Sequence, residues 1–271
     1  MHDYLKKTID RLVDHFSRDK RCLGVLLHGS GGQGTDDIYS DVDLTMVVEE
    51  KDYIDVRDGL KALCSSICGD IRLWYPEGDR QDQVNYAFLF ETVDGYFLYD
   101  LAVFTLPAYT AKPYDHTEKV LFDRNNILQM IRNDQPRLEI RPGAIPSIIE
   151  VYWLYAYLNG KYYRRGDLYK AIYILQTLFN HHMQLLGALH PGTDWRWWPK
   201  DLERLTDDHQ QDMLSYLQCV DIADIPTIMK IVLHRFSRDA REICYLDGLN
   251  YPDELEAYVR NHLREMSILI E

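Results

Sequence analysis

The chain has 271 residues, of which Lys plus Arg number 30 and Asp plus Glu 43, a net charge of −13. The length suits two domains of ordinary size, and apolar residues at 46% supply material for their cores. The acidic balance argues against a grip on long nucleic acid, which needs a basic face to neutralise phosphates, and suits a small acceptor, best a cationic one.

Asp3 to Arg18 places Leu5, Ile9, Leu12, Val13 and Phe16 on one helical face. Cys22 to His28 is a short apolar run ending in Gly29-Ser30-Gly31-Gly32, which predicts a buried strand feeding a tight loop. Leu44 to Val48 predicts a second strand entered from Asp41 and Asp43; Lys51 to Ile67 a helix; Ile71 to Tyr75 a short strand. Val84–Thr92 and Tyr96–Phe104 are β-rich runs joined through Asp94-Gly95, a hairpin signal. A polar, proline-bearing stretch follows through Pro113, Pro136, Pro142 and Pro146, with a short helix expected around Val120 to Ile131. From Ser147 onward the periodicity is helical. The fold class expected is α+β: a mixed sheet flanked by helices over residues 1–140, then an all-α helical bundle over 141–271.

No run reaches the ~18 consecutive apolar residues that cross a bilayer. The opening MHDYLKKTIDRLVDHF is amphipathic, where a secretory signal would be basic and then continuously apolar, so no membrane and a cytoplasmic location are expected. Five cysteines without framework spacing agree with that; Cys64 and Cys68 read as half-buried helix residues, since no further ligands accompany them.

The segment with chemical content is GVLLHGSGGQGTDDIYSDVDLTMVV, Gly24 to Val48. Strand alternation puts the Asp41 and Asp43 carboxylates on one face, roughly 6–7 Å apart along the strand, where they can share a hard divalent cation such as Mg²⁺. Gly29 lets the backbone approach a phosphate closely, and the Ser30 hydroxyl and nearby N–H groups can hydrogen-bond its oxygens. Asp100 is the one charged residue in the apolar and aromatic run Tyr96–Phe104, where a charge is costly unless paired or bound to metal. Asp36 and Asp37 are expected to cap a turn before Asp41.

The order strand, Gly-Ser, ten residues (Gly31 to Ser40), Asp-x-Asp, strand resembles the signature of the nucleotidyltransferase superfamily to which DNA polymerase beta belongs. The resemblance implies transfer of a nucleoside monophosphate from a nucleoside triphosphate, with ATP the family expectation, one or two Mg²⁺ ions, and Asp100 as a third metal ligand or the base. The layout is most similar to the antibiotic nucleotidyltransferases, which modify aminoglycosides or lincosamides and carry a helical acceptor-binding domain. On that likeness Glu150, before the aromatics Tyr152, Trp153 and Tyr155, becomes a general base for the acceptor hydroxyl. The same signature also admits an enzyme that nucleotidylates a protein side chain, or a nucleotide-binding relative without catalysis.

In the second half, Gly166 and Asp167 predict a helix stop and a helix start. Arg164, Arg165 and Lys170 around them are candidates for the β- and γ-phosphates, with helix-dipole complementarity as the ordinary alternative. Trp195-Arg196-Trp197-Trp198-Pro199 is expected in a loop packing on the helices or walling the acceptor pocket. His181 and His182 face different directions on one helix and receive no role. The oligomeric state is left open.

Overall fold

Residues 1–114, 117–135, 142–189 and 198–269 are described by the computed structural model. The chain divides into two units, Met1–Arg137 and Leu138–Glu271. The boundary expected between residues 140 and 141, Pro136, and Trp195 to Trp197 lie outside the described residues.

In the first unit six strands form one sheet in the order β3-β4-β5-β2-β1-β6. They are β1 (Cys22–Leu27), β2 (Val42–Val48), β3 (Asp70–Asp79), β4 (Gln83–Thr92), β5 (Gly95–Thr105) and β6 (Lys119–Asp123). The sheet is mixed: β2 and β5 run parallel, and every other pairing is antiparallel. One face is covered by α1 (Asp3–Arg18) and α3 (Tyr53–Cys68). Leu5, Ile9, Leu12 and Phe16 of α1 and Tyr53, Val56, Leu60, Cys64 and Cys68 of α3 pack there on Val42, Leu44, Met46 and Val48 of β2 and Tyr99, Leu101 and Val103 of β5. The i, i+3/i+4 stripe of each helix meets the i, i+2 stripe of each strand, so register and helix rotation fix one another. The Thr8 and Tyr99 hydroxyls meet at 2.6 Å inside this layer. On the opposite face α4 (Leu106–Ala111) and α5 (Ile127–Arg132) pack around Leu23, Leu26, Val47, Tyr109 and Leu128. Gly24 admits this packing, since a Cβ there would lie 2.1 Å from Leu128 Cδ1.

Several elements differ from the sequence expectation, each for a local reason. The stretch Val120 to Ile131 is not one helix. Its first part is β6, which adds to the free edge of β1, and the Asp123 carboxylate then accepts from the Leu128 and Gln129 N–H groups and caps α5. Between them Asn125 and Asn126 take left-handed conformations (φ 58° and 57°), which Asn tolerates better than most residues. Strand β3 runs past Tyr75 to Asp79, with register shifts on either side of the Trp74–Pro76 stretch that let it pass Pro76 and Gly78. Cys64 and Cys68 are fully buried rather than half-buried. The residues after β1 are a single helical turn, α2 (Gly29–Gln33), rather than an irregular loop.

The helical unit contains α6 (Ile145–Arg164), α7 (Leu168–Leu186), α8 (Trp198–Leu202), α9 (Asp207–Leu214), α10 (Ile225–Leu246) and α11 (Asp253–Glu265). Its core is formed by Ile149, Tyr152, Trp153, Leu175, Leu178, Met229, Val232, Phe236 and Val259, among others. Tyr152 and Phe236 stack with ring centroids 3.4 Å apart, and α11 approaches α6 where Gly160 leaves room for His262 and Met266. A polar thread crosses this core. His182 Nε2 and His209 Nε2 lie 2.9 and 2.8 Å from Asp239 Oδ2, and His182 Nδ1 lies 3.0 Å from the Tyr216 hydroxyl. Burial alone would raise the Asp239 carboxyl, but the hydrogen bonds from His182 and His209 hold it down to about 2. Burial keeps His182 below its ordinary value. Among the described residues no helix is long and apolar enough to cross a membrane.

Candidate active site

The carboxylates of Asp41, Asp43 and Asp100 converge beside the β2–β5 pair. Parallel pairing sets Asp43 directly opposite Asp100, and Asp41 precedes β2 two residues earlier on the same face. One ligand oxygen from each lies within 4.8 Å of the others. The intervening residues Val42, Leu44, Tyr99 and Leu101 are wholly or almost wholly buried on the other face, so the carboxylates cannot turn away without extracting the core. Three like charges therefore share one place. Asp100 Oδ1 is buried with no hydrogen-bond partner. Burial first, and then the negative charges of Glu77, Asp43 and Asp41, raise the Asp100 carboxyl from 3.8 to about 6. An orphaned carboxylate oxygen among acidic neighbours is a donor set short of a cation, and an all-oxygen set suits a hard ion such as Mg²⁺.

Gly29 stands against this cluster, with Ser30 next to it in the chain. The His28 N–H donates to the Asp43 carbonyl at 2.8 Å, tying the end of β1 to β2, and α2 begins at once. Gly29 has φ +57°, and a Cβ there would lie 2.2 Å from Asp43 Oδ2. Conformation and space both demand glycine, and its absent side chain is what lets the turn press on the carboxylate. The first turn of a helix leaves its leading N–H groups without intrahelical acceptors, and here these belong to Gly29, Ser30 and Gly31. Gly32 closes the turn from behind: its N–H donates to the His28 carbonyl at 2.8 Å, and a Cβ would lie 2.1 Å from the Thr117 carbonyl oxygen.

The structure corrects one expectation in this loop and adds residues that sequence reading missed. Asp37 does cap a turn, accepting from the Tyr39 N–H and the Ser40 hydroxyl, but Asp36 instead pairs with the Met1 amino group at 2.6 Å. Behind α2, buried Glu118 accepts from Lys112 Nζ at 2.6 Å and from the Tyr109 hydroxyl at 3.0 Å, with His28 Nδ1 at 3.7 Å. Gln135 Nε2 donates to the Tyr109 carbonyl and an Arg132 guanidinium N–H to the Glu118 carbonyl. Nothing in the sequence flags Glu118, because its partners come from three separate places in the chain, His28, the Tyr109–Lys112 segment and Arg132. Glu77 was missed because β3 was expected to stop at Tyr75; it is held by a 2.7 Å hydrogen bond from Asn85 Nδ2.

The remaining candidates belong to the helical unit. Glu150 is exposed within α6, one turn inside the helix start at Ile145 rather than at its opening. Arg164 is exposed at the end of α6. Gly166 is left-handed (φ +65°) and Asp167 caps α7, as the sequence implies. Lys170 pairs with Asp167 at 2.5 Å, an ion pair within one turn.

With the strand order and the carboxylate cluster established, comparison with known proteins assigns the family. The streptomycin adenylyltransferase family model matches residues 4–266. The chain belongs to that family. Among solved structures it is similar to an aminoglycoside 6-adenyltransferase from Bacillus subtilis, 13% identical over 98% of this chain and 99% of that chain, with a TM-score of 0.47. It is also similar to JHP933 from Helicobacter pylori, 14% identical over 96% of each chain, with a TM-score of 0.30. No curated protein matches the chain.

Two outcomes follow from this geometry. Gly29→Ala forces a side chain into a left-handed residue, at about 1 kcal/mol, and onto Asp43. Displacement of a reacting group by about 1 Å costs on the order of 100-fold in rate, so steady-state turnover should fall by about that factor while the far-ultraviolet circular dichroism is unchanged. Turnover near that of the unsubstituted enzyme would show that the contact is not needed. Asp100→Asn should behave oppositely for stability. The folded chain holds a proton on Asp100 up to about pH 6, whereas the unfolded chain releases it near 3.8, so the ionised carboxylate destabilises the metal-free fold above that window. Allowing for solvent screening of a half-exposed group, Asn should gain about 1 kcal/mol in chelator at pH ~8 and nothing by pH ~4. Urea midpoints across that range measure it, and a gain that does not change with pH would contradict the assignment.

Proposed function

We propose that this enzyme transfers the adenylyl group of ATP to a hydroxyl of an aminoglycoside and releases pyrophosphate. The observation that carries the reading is the convergence of Asp41, Asp43 and Asp100, with one buried oxygen unpartnered, beside a turn whose glycine contacts Asp43. Membership of the streptomycin adenylyltransferase family supplies the adenylyl donor and the class of acceptor.

Asp41, Asp43 and Asp100 would hold Mg²⁺, which when bound neutralises triphosphate charge and the charge that grows on the departing pyrophosphate. Ser30 and the leading N–H groups of α2 hydrogen-bond phosphate oxygens and hold the triphosphate in line. The acceptor oxygen bonds to the α-phosphorus, the bridging oxygen to the β-phosphorus leaves with its electron pair, and the hydroxyl proton passes to a base. Glu150 is that base in this reading; its carboxylate is exposed on α6. Of the basic residues proposed for the β- and γ-phosphates, Arg164 is better suited than Lys170, whose charge is already engaged by Asp167. The net charge of −13 draws a polycationic acceptor from a distance.

The test is Mg²⁺-dependent pyrophosphate release with each ribonucleoside triphosphate against a panel of aminoglycosides and lincosamides, with mass spectrometry of the acceptors. An aminoglycoside gaining one adenosine monophosphate is the expected product. Asp41→Asn and Asp43→Asn should each abolish release, by a factor of about 1000 or more, with the fold retained. Glu150→Gln should lower kcat while leaving ATP affinity intact; an unchanged rate would move the base to Asp100. Triphosphate binding without release across the whole panel would remove small antibiotics as the acceptor.

A further inference from the structure

Among the described residues one other cluster, apart from the carboxylate triad, brings three metal-ligating atoms together: His182, His209 and Asp239. They come from three helices, α7, α9 and α10. His182 and Asp239 are buried in the helical unit, while His209 lies at the rim. Both imidazoles aim Nε2 at the same oxygen, Asp239 Oδ2, at 2.9 and 2.8 Å, and all three atoms lie within 4.8 Å of one another. The other carboxylate oxygen is approached by Arg238 Nε at 3.6 Å.

The hydroxyl thread behind His182 bears on what sits between these atoms. His182 Nδ1 is 3.0 Å from Tyr216 Oη, which is 2.7 Å from Tyr152 Oη, which is 3.4 Å from the Val232 carbonyl oxygen. In one arrangement Tyr152 donates to Tyr216 and Tyr216 to Nδ1, so Nε2 carries the proton and donates to Asp239. In the other, Tyr152 donates to Val232, Tyr216 to Tyr152, and Nδ1–H to Tyr216. Only the second uses the Val232 acceptor. It leaves the Nε2 lone pair facing the carboxylate, where a bound cation would sit, whereas the first arrangement satisfies every group without one.

We propose that the cation is Zn²⁺, bound by His182 Nε2, His209 Nε2 and Asp239 Oδ2. The nitrogen–oxygen separations of 2.8 and 2.9 Å are hydrogen-bond lengths, and a tetrahedral ion with metal distances of about 2.0–2.1 Å would open them to roughly 3.3–3.4 Å. A mixed nitrogen–oxygen set suits a borderline ion, whereas the all-oxygen triad of the first unit suits Mg²⁺, so the two sites select different metals. Tyr216 and Arg238 are the outer partners that orient a ligating imidazole and a ligating carboxylate. The remaining position falls to Asp239 Oδ1 or to water entering beside His209. The ion cross-links α7, α9 and α10, and the proposal stands independently of the acceptor assignment.

The experiment uses full-length enzyme stripped with a chelator and returned to excess Mg²⁺, which occupies the carboxylate triad. Zn²⁺ is then titrated against a chromophoric chelator, in the unsubstituted protein, in His209→Gln and in the Asp41→Asn/Asp43→Asn double variant. One equivalent should bind to the unsubstituted protein and to the double variant, and bind at least ~10-fold more weakly to His209→Gln. Co²⁺ in place of Zn²⁺ should give visible d–d absorption that His209→Gln loses. Absence of stoichiometric uptake, uptake lost in the double variant, or uptake unaffected by His209→Gln would each overturn the site. Should His209→Gln fail to fold, X-ray absorption of the Zn²⁺-loaded unsubstituted protein decides: two imidazole nitrogens support the proposal, and an oxygen-only shell rejects it.

Discussion

The parallel pairing of β2 with β5 imposes one constraint on which the rest of the first unit depends: Asp43 and Asp100 must face each other. Two carboxylates in adjacent strands repel, and the raised Asp100 carboxyl registers that repulsion together with burial. The pairing survives because the opposite face is so thoroughly committed. Val42, Leu44, Tyr99 and Leu101 lie under α1 and α3, and a shift of one residue in either strand would put acids into that layer. The core thus holds three acids together against their mutual repulsion, which a cation between them would relieve.

The turn that faces these acids is held just as firmly from behind. Gly29 and Gly32 each meet an atom where a Cβ would be, Asp43 Oδ2 on one side and the Thr117 carbonyl on the other, so α2 is clamped between β2 and the segment before β6. That segment is fixed by Glu118, whose buried charge is met by Lys112 and by the Tyr109 hydroxyl. A buried carboxylate with its hydrogen bonds satisfied is a weak source of net stability but a strong source of position, because leaving it unpaired is so costly. Strand β6 and α4 therefore serve the site although none of their residues is among its carboxylates.

What the sequence made legible was whatever carries a local signal. The α1 stripe, the β1 run, the Asp-Gly hairpin and the Asp41-x-Asp43 entry to β2 each announce themselves through period or turn chemistry, and Asp100 stands out as a lone charge in an apolar strand. The features that stayed hidden depend on partners distant in sequence. A five-residue strand such as Lys119–Asp123 has too short a period to distinguish from a helix until the edge of β1 is there to pair with. Asp36 looks like a cap until the Met1 amino group reaches it, and His182 looks like half of an idle pair until α9 and α10 bring His209 and Asp239. Helical periodicity says that His182 is inside; it does not say what it meets there.

The two units differ in how they accommodate buried polarity. In the first, the acids are half-buried on the sheet and Asp100 keeps one oxygen without a partner. In the second, His182, Tyr216, Tyr152 and Asp239 are joined end to end inside a core that also contains Trp153 and Phe236, with His209 at its rim. An interior that excludes water strengthens every electrostatic contact within it and penalises any that is left incomplete. A site of the first kind is built for chemistry and one of the second for permanence. The donor atoms follow the same division, exchangeable carboxylate oxygens in the sheet and imidazole nitrogens in the bundle. Mg²⁺, which dehydrates reluctantly and keeps several waters beside one or two carboxylates, suits the first set, and a borderline ion suits the second.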